Sequence, residues 1–457
     1  MLRIYCDKNI YSSIKPGKGN FIPELKELMD ELKGKMVFTY STAHHNDLAN
    51  SDESYWNEDL ILMEEYVEDN YFFYNSIKKE TEIYLAKPME SFYDLNHEKE
   101  IDIDQTIQNL LKDIEEPFRG MLKSLLEGLL NLKMPSVRES LKTEKDIELF
   151  EKYKLYLPEG ENNTLKDYLQ LGNKLLFDKE EVKKMKRLME EYSNSDNYSF
   201  EKWKEKYDEK FSEVFYGETF TGMMEGVFNA VDGYNNYDKF TLFFASLEMY
   251  NITKDKPLRK TQALASNQTD ADHAWYASFS DFLVTNDKGL AMKAHITYKY
   301  FNIETKILTI EEFLSEKINF LQQEERSVKK LEESLMYELQ NGLIFKKIED
   351  FSVLQCQYPF FNYFNRILCK NNSIVLFCER TNNVDQMMLK EIKLLIGKLY
   401  DLFGFDKNGR GMFTIKKKGF NEVFREWRFK DLTILFYTNY NENIKSCCLE
   451  IMTKEKL

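Results

Sequence analysis

The run Phe282-Leu283-Val284-Thr285, followed at once by Asn286-Asp287-Lys288-Gly289, constrains the fold more than any other stretch of the chain. A short apolar run bounded by polar residues reads as a buried strand, and the Asn-Asp-Lys-Gly after it reads as a turn into a helix. In open parallel sheets, ligands gather outside the carboxyl ends of the strands. Asp287 stands at such an end. Upstream, the segment QTDADHA opens a helical stretch with Asp270, Asp272 and His273, and Asp281 immediately precedes the strand. Carboxylates brought to one edge repel one another unless a cation joins them. A hard, oxygen-liganded ion, Mg²⁺ or Mn²⁺, is the usual resident of such a group.

The chain start supplies a matching piece. Met1 to Cys6 (MLRIYC) has strand character, and Asp7 follows directly, then Asn9, Ile10 and Tyr11. An acid just past a first strand points into the same crevice as Asp287. A helix pattern comes next, with Pro23 in its first turn, Leu25, Leu28, Met29 and Leu32 on one face, and Gly34 as the stop. Residues 36–40 (MVFTY) read as a second strand. Ser41 can then cap a helix that carries His44, His45 and Asp47.

Taken together, Asp7 after the first strand, Asp47 in STAHHNDLANS, and DADHA…SDFLVTNDK resemble the PIN-like domain family of metal-dependent nucleases. The resemblance covers about residues 1–60 and 260–310. It implies an α/β fold, a Rossmann-like PIN-type three-layer α/β/α domain, with RNA as the usual substrate and three or four acids around Mg²⁺ or Mn²⁺. By position, Asp7, Asp270 and Asp287 match the family's metal acids, and Asp47 matches a fourth that is often Glu. Asp272 is the alternative to Asp270, because the register of the helix start is open by two residues. Asp281 is implied as an acid that supports the metal acids or faces substrate, His273 as a neighbour of the site, and Asn9, Thr285 and Asn286 as groups orienting ligands or phosphate. About two hundred residues separate the two matching halves, a departure from the family pattern.

The composition bounds the remainder. At 457 residues the chain exceeds one domain. A net charge of −14 argues against binding nucleic acid over the whole surface, since phosphate affinity comes from Lys and Arg, but it leaves room for an acidic catalytic crevice. No run approaches eighteen apolar residues and no secretory signal is visible, so the reading is a cytoplasmic protein without a membrane span. Its six cysteines, without paired zinc spacing, are read as reduced thiols. No phosphate-loop motif is present, which argues against a nucleotide-driven machine.

The expected organisation is a split nuclease domain over 1–64 and 256–310, with a mostly α-helical insertion over 65–255. A connecting helix follows over 311–341, where Leu314, Leu321, Val328 and Leu335 recur every seven residues, and then a separate C-terminal α+β domain over 342–457. Within that last domain, Lys416, Lys417, Lys418 and Arg425 lie among aromatic residues. Such a mixture can hold a phosphate backbone and stack bases; the competing reading is the outer, charged face of a sheet.

The functional expectation is a Mg²⁺- or Mn²⁺-dependent ribonuclease, its partner RNA, with DNA as the alternative substrate. Its architecture suits a regulated toxin or antiviral-defence effector held in check by a protein partner. The competing class is a catalytically silent scaffold that acts through protein partners. Oligomeric state is not legible.

Overall fold

A computed structural model describes residues 1–94, 111, 118–133, 163–170, 180, 183–184, 206–214, 217, 219–230, 233–249, 264–322, 327–348, 351–370, 372–380, 382, 384–413, 424–430, 432–441 and 444–453. The chain divides into two compact units. The first contains 1–95, 228–244 and 271–457; the second contains 96–227 and 245–270.

The first unit holds two sheets. Six strands build the first: β1 (Arg3–Cys6), β2 (Val37–Ser41), β3 (Asn70–Asn75), β4 (Glu80–Leu85), β5 (Phe282–Val284) and β6 (Lys306–Leu308), in the order β4-β3-β2-β1-β5-β6. β1 is paired in parallel with β2 on one side and β5 on the other; β2–β3 and β5–β6 are also parallel. Only β4 runs antiparallel, as the outer arm of a hairpin with β3. The strand order therefore reverses direction at β1. β1, β2 and β5 are buried along their whole lengths, as parallel strands covered on both faces must be.

The pleat sorts the β1 side chains. Leu2, Ile4 and Cys6 face one core, where they meet α1 (Lys8–Ser13), α2 (Pro23–Leu32) and α4 (Trp56–Val67). Tyr5, at the opposite parity, faces the other core with Ala271, Ala274 and Leu283. α2 starts at Pro23 and buries Leu25, Leu28, Met29 and Leu32, as its spacing predicts. α3 (Thr42–Ala49) starts at Ser41 with a capping box.

Seven strands form the second sheet, antiparallel throughout: β7 (Leu343–Ile348), β8 (Phe351–Phe360), β9 (Phe364–Cys369), β10 (Ser373–Phe377), β11 (Arg425–Arg428), β12 (Leu432–Asn441) and β13 (Ile444–Thr453). The helix Asp385–Phe403 lays Met387, Met388, Ile392, Leu395, Ile396 and Leu399 into the core it shares with Tyr5 and Leu283.

Four expectations need correction. The first half does not stop at residue 64, because NYFFYN and ETEIYL form β3 and β4 of the first sheet. Their alternating aromatic and β-branched residues around a polar turn carry a hairpin signal that the neighbouring helical pattern obscures. Residues 311–341 are not one long helix. They form the helices Ile310–Ser315, Lys317–Gln322 and Val328–Asn341, the first and last each with its own N-cap, Thr309 and Ser327. Leu331 and Leu335 are buried while Val328 is exposed, so the heptad spacing makes no continuous seam. The C-terminal region is an α+β structure as expected, but it is not separate: it belongs to the same compact unit as the first sheet.

Asp281 is the fourth correction. It stands at the entrance of β5, the end away from Asp287. Its carboxylate accepts from the Arg3 backbone N–H at 2.7 Å and from Arg380 Nη2 and Nε at 3.0 and 3.1 Å. Arg3, fully buried, donates in turn to both oxygens of Glu391 at 2.9 and 3.0 Å, and Arg380 Nη1 reaches Glu391 at 3.2 Å. Asp281 thus ties the first sheet to the β10–helix segment of the second, away from the Asp7 and Asp287 strand ends.

In the second unit the described helices include Phe118–Leu130 and Tyr207–Val214. Phe220 packs edge-on against Tyr207 and Phe211, and Thr221 Oγ1 donates to Asp208 Oδ2 at 2.5 Å. Most of its described residues are helical, with a β-bridge between Lys133 and Thr164.

Candidate functional site

Two strand ends meet where the strand order reverses. Asp7 leaves β1 as the N-cap of α1, and its Oδ1 accepts from the Ile10 backbone N–H at 3.1 Å. Thr285 leaves β5, and its hydroxyl donates to Asp7 Oδ2. The same hydroxyl oxygen accepts from the Asp287 backbone N–H at 3.0 Å. One threonine oxygen therefore joins the two acids. Asp287 is the N-cap of the helix Lys288–Phe301, with Oδ1 accepting from Gly289 and Leu290 N–H at 2.8 and 3.1 Å. Asp and Asn are favoured at this position because their short side chains satisfy N–H groups that the first helical turn leaves open. The turn chemistry that ends each strand thus also sets an acid at its tip. Burial pushes the Asp7 carboxyl up to about 6, against the opposing effects of Thr285, His273 and the Ile10 N–H.

Asp47 approaches from α3, beside the end of β2. Its Oδ2 lies 3.0 Å from His273 Nε2. His273 is buried, and its Nδ1 lies 2.8 Å from the Tyr5 hydroxyl. Tyr5 in turn sits 2.7 Å from Ser41 Oγ, which also accepts from the Ala43 N–H. With Nε2–H given to the Asp47 carboxylate, a neutral His273 has only Nδ1 left to accept with. Tyr5 then donates to His273, and Ser41 donates to Tyr5. Burial holds the Tyr5 phenol well above its ordinary pKa, so it is a neutral donor.

His44 completes the support. Its Nε2 is 2.7 Å from the Cys6 carbonyl and its Nδ1 is 3.2 Å from the Ser41 N–H. A carbonyl only accepts and an N–H only donates, so His44 is the neutral Nε2–H tautomer. Burial, with the neighbouring His273, pushes its pKa well below the ordinary value in the same sense. His45 turns away to Ser91 Oγ at 2.8 Å. Lys8, next to Asp7, sends its ammonium to the Asp47 backbone carbonyl at 3.0 Å. Burial lowers the Lys8 pKa, opposed by Asp47 and Asp59.

The other expected residues fall as follows. Asp270 is half-buried on the helix Leu264–Ala277 and closes the second unit, whereas the junction of Asp7, Thr285 and Asp287 belongs to the first. Asp272 is buried, and its Oδ1 accepts from Tyr237 Oη at 2.7 Å, a core role beside the stacked pair Tyr74–Tyr237. Asn9 and Asn286 are exposed. Arg425 is buried, with its Nε 3.9 Å from Asp406, so it is not placed to contact a nucleic-acid backbone. Lys416, Lys417 and Lys418 lie outside the described residues. Trp427 in β11 is a core residue that donates to the Gly404 carbonyl at 3.1 Å. All six cysteines are free thiols.

The sequence points to His273 beside the acids and to His44 near Asp47, but not to Tyr5 or to Lys8 on the Asp47 carbonyl. The signal for Tyr5 was its parity in β1: a polar-tipped aromatic residue two positions before Asp7, facing the layer opposite Ile4 and Cys6.

The donors at the junction are all carboxylate and hydroxyl oxygens, which match a hard divalent cation. Among the described residues, no three His, Cys, Asp or Glu side chains converge as a ready-made ligand group. Among the described residues, no helix is long and apolar enough to cross a membrane. No protein-family model, curated protein or solved structure matches this chain.

Proposed function

We propose that the chain is a metal-dependent phosphodiesterase of the PIN-like type that cleaves RNA. The observation that supports this most is the linkage of Asp7 to Asp287 through the Thr285 hydroxyl, where the parallel strand order reverses. Crevices at such reversals are the ligand sites of open α/β sheets. A carboxylate offers about four lone pairs, more than capping alone uses. Mg²⁺ or Mn²⁺ bound there supplies a water activated for attack and neutralises charge building on the phosphate.

The chain's own residues carry the positioning. Thr285 fixes the spacing of Asp7 and Asp287. His273, held by Tyr5, fixes the carboxylate of Asp47 and leaves its other oxygen for the crevice. His44 stays neutral and locks the Ser41 turn under Tyr5.

One observation favours the scaffold reading instead. Both central acids already serve as helix caps, a structural duty that would keep them without any catalysis. The test is cleavage of single-stranded RNA, structured RNA and single-stranded DNA with Mn²⁺, Mg²⁺ or EDTA, wild type beside Asp287→Asn. Asn retains a capping oxygen and removes the charge. Cleavage that needs metal and drops at least about 100-fold in the variant supports the enzyme. Intact substrates throughout, with the variant matching wild type in metal binding, leave the scaffold.

A further inference from the structure

The starts of the parallel strands, at the edge of the first sheet opposite Asp7 and Asp287, border a cavity of about 360 Å³. Leu2, Asp281 and Lys306 line it from the starts of β1, β5 and β6, and Gln355 and Arg366 line it from β8 and β9. All of these residues belong to the first compact unit. The volume falls in the range of small-molecule sites, about 300–1,000 Å³.

Its lining is charged but balanced, with Asp281, Glu304 and Glu379 against Lys306, Arg366 and Arg380. Arg380 spends its guanidinium on Asp281, Glu391 and the Met1 carbonyl. Arg366 is not spent in the same way. Its side chain is 1% exposed, and it gives Nε to Glu379 Oε2 at 3.1 Å and Nη2 to the two Glu304 oxygens at 3.0 and 3.1 Å. Nη1 makes one long bond, 3.4 Å, to the Asn365 carbonyl. It carries two hydrogens, so one N–H of a buried guanidinium has no partner among the described residues. Glu379 is half-exposed, and among the described residues its Oε1 has no hydrogen-bond partner either. Beside these groups lies an apolar wall of Leu2, Phe282 and Pro359. A structural role for the ion pairs exists, because Glu304 precedes β6 and Arg366 belongs to β9, so they join the two sheets. A joint accounts for the bonds made. It does not account for a cavity of this size beside them, since protein interiors are close-packed.

We propose that this cavity binds a free α-amino acid with an apolar side chain. The carboxylate of the ligand accepts from Arg366 Nη1, its ammonium donates to Glu379 Oε1, and its side chain lies against Leu2, Phe282 and Pro359. Hydrogen bonds between ionised groups are roughly twice as strong as neutral ones, so spare groups of both signs select a zwitterion. A net charge on the ligand would unbalance a lining that is neutral as it stands. The site is distinct from the junction of Asp7, Thr285 and Asp287 and does not depend on how that junction is read.

Calorimetric titration of the full-length chain at neutral pH tests it. The probes are L-leucine, L-methionine and L-phenylalanine, followed by two blocked forms of the tightest: its amide, which lacks the carboxylate, and its N-acetyl form, which lacks the ammonium. At least one free amino acid is expected to bind with a Kd below about 1 mM and to raise Tm at about 10 mM. Each blocked form is expected to bind about 10-fold more weakly or worse, for loss of one charge-assisted hydrogen bond. Glu379→Gln is expected to weaken the free amino acid by a similar factor and to leave the N-acetyl form unchanged, since that form has no ammonium to lose a partner. Gln355→Trp fills the cavity from the position directly opposite Arg366 on the paired strand and is expected to abolish binding of all three forms.

Absence of heat and of any Tm shift with all three amino acids overturns the proposal. So does an amide that binds as tightly as the free amino acid, which would make the cavity an amine site, or an N-acetyl form that does so, which would make it a carboxylate site. Wild-type affinity in a folded Gln355→Trp variant places the binding outside the cavity and overturns it as well.

Discussion

Tyr5 shows how much one buried hydroxyl can decide. It joins the Ser41 turn to His273, and through His273 it sets where the Asp47 carboxylate points. Tyr5→Phe keeps the ring in its core and removes that link. On the nuclease reading, metal-dependent cleavage should fall about 10–100-fold, the usual cost of losing a group that orients a ligand. The far-ultraviolet circular dichroism should stay that of wild type, and metal affinity should weaken in a direct titration. Unchanged metal affinity and rate would show that Asp47 works without support. Thr285 carries a different load. Thr285→Val leaves a buried Asp7 oxygen and the Asp287 N–H without their shared partner. The expected loss is about 1–3 kcal/mol in a urea unfolding curve, the desolvation cost of an unsatisfied polar group. A loss under about 0.5 kcal/mol would mean that the junction rearranges around the change.

At the scale of elements, the candidate site is a by-product of how strands end and helices begin. β1 and β5 each run into an Asp that caps the next helix, so capping and site formation use the same residue type. β2 does the same with Ser41, whose capping box recruits His44 and so places α3 and Asp47. These endings were legible because their signals are local: an apolar run, a polar turn residue, then a helical period. The β3–β4 hairpin was missed because its aromatic residues, Tyr71 to Tyr74, continue directly from the apolar face of α4. The heptad over 311–341 misled for the opposite reason. Spacing alone suggested a seam, while the first helix ends at Ser315 and Ser327 caps a new one.

Across the molecule, the first sheet and the C-terminal region are joined by buried charge. Glu391 accepts from Arg3 and Arg380, and the Met1 amino group lies 3.3 Å away. Despite burial, which raises it, these neighbouring positive charges hold the Glu391 carboxyl well below the usual carboxylate range. A depressed carboxyl contributes stability that is complete above its unfolded pKa, about 4.5 here, and that is lost as acid drives pH down toward the folded value. Wild type should therefore lose stability steadily below about pH 4.5. Glu391→Gln should cost about 3–5 kcal/mol at neutral pH, because it removes the buried carboxylate that the Arg3 and Arg380 guanidinium groups share, and should flatten the acid limb. Thermal melts of both proteins from neutral to acid pH check this. Parallel acid limbs would place the acid sensitivity elsewhere.

The sequence by itself determined the local grammar: buried parallel strands β1, β2 and β5, the helices that follow them, and the acids Asp7, Asp47 and Asp287 at their junctions. Those features depend on neighbours within a few residues, so a linear chain displays them. Only the tertiary structure decided which acids share a place. Asp7 meets Asp287 because β1 and β5 pair across nearly three hundred positions of chain, and Thr285 happens to project between them. It likewise turned Asp281 into a tie to Arg380 and Asp272 into a partner of Tyr237, since both lie where packing, not sequence spacing, chooses the neighbour. A carboxylate looks the same in sequence whether it faces a crevice or an arginine; the difference is the charge and hydrogen bonding that the fold brings to it.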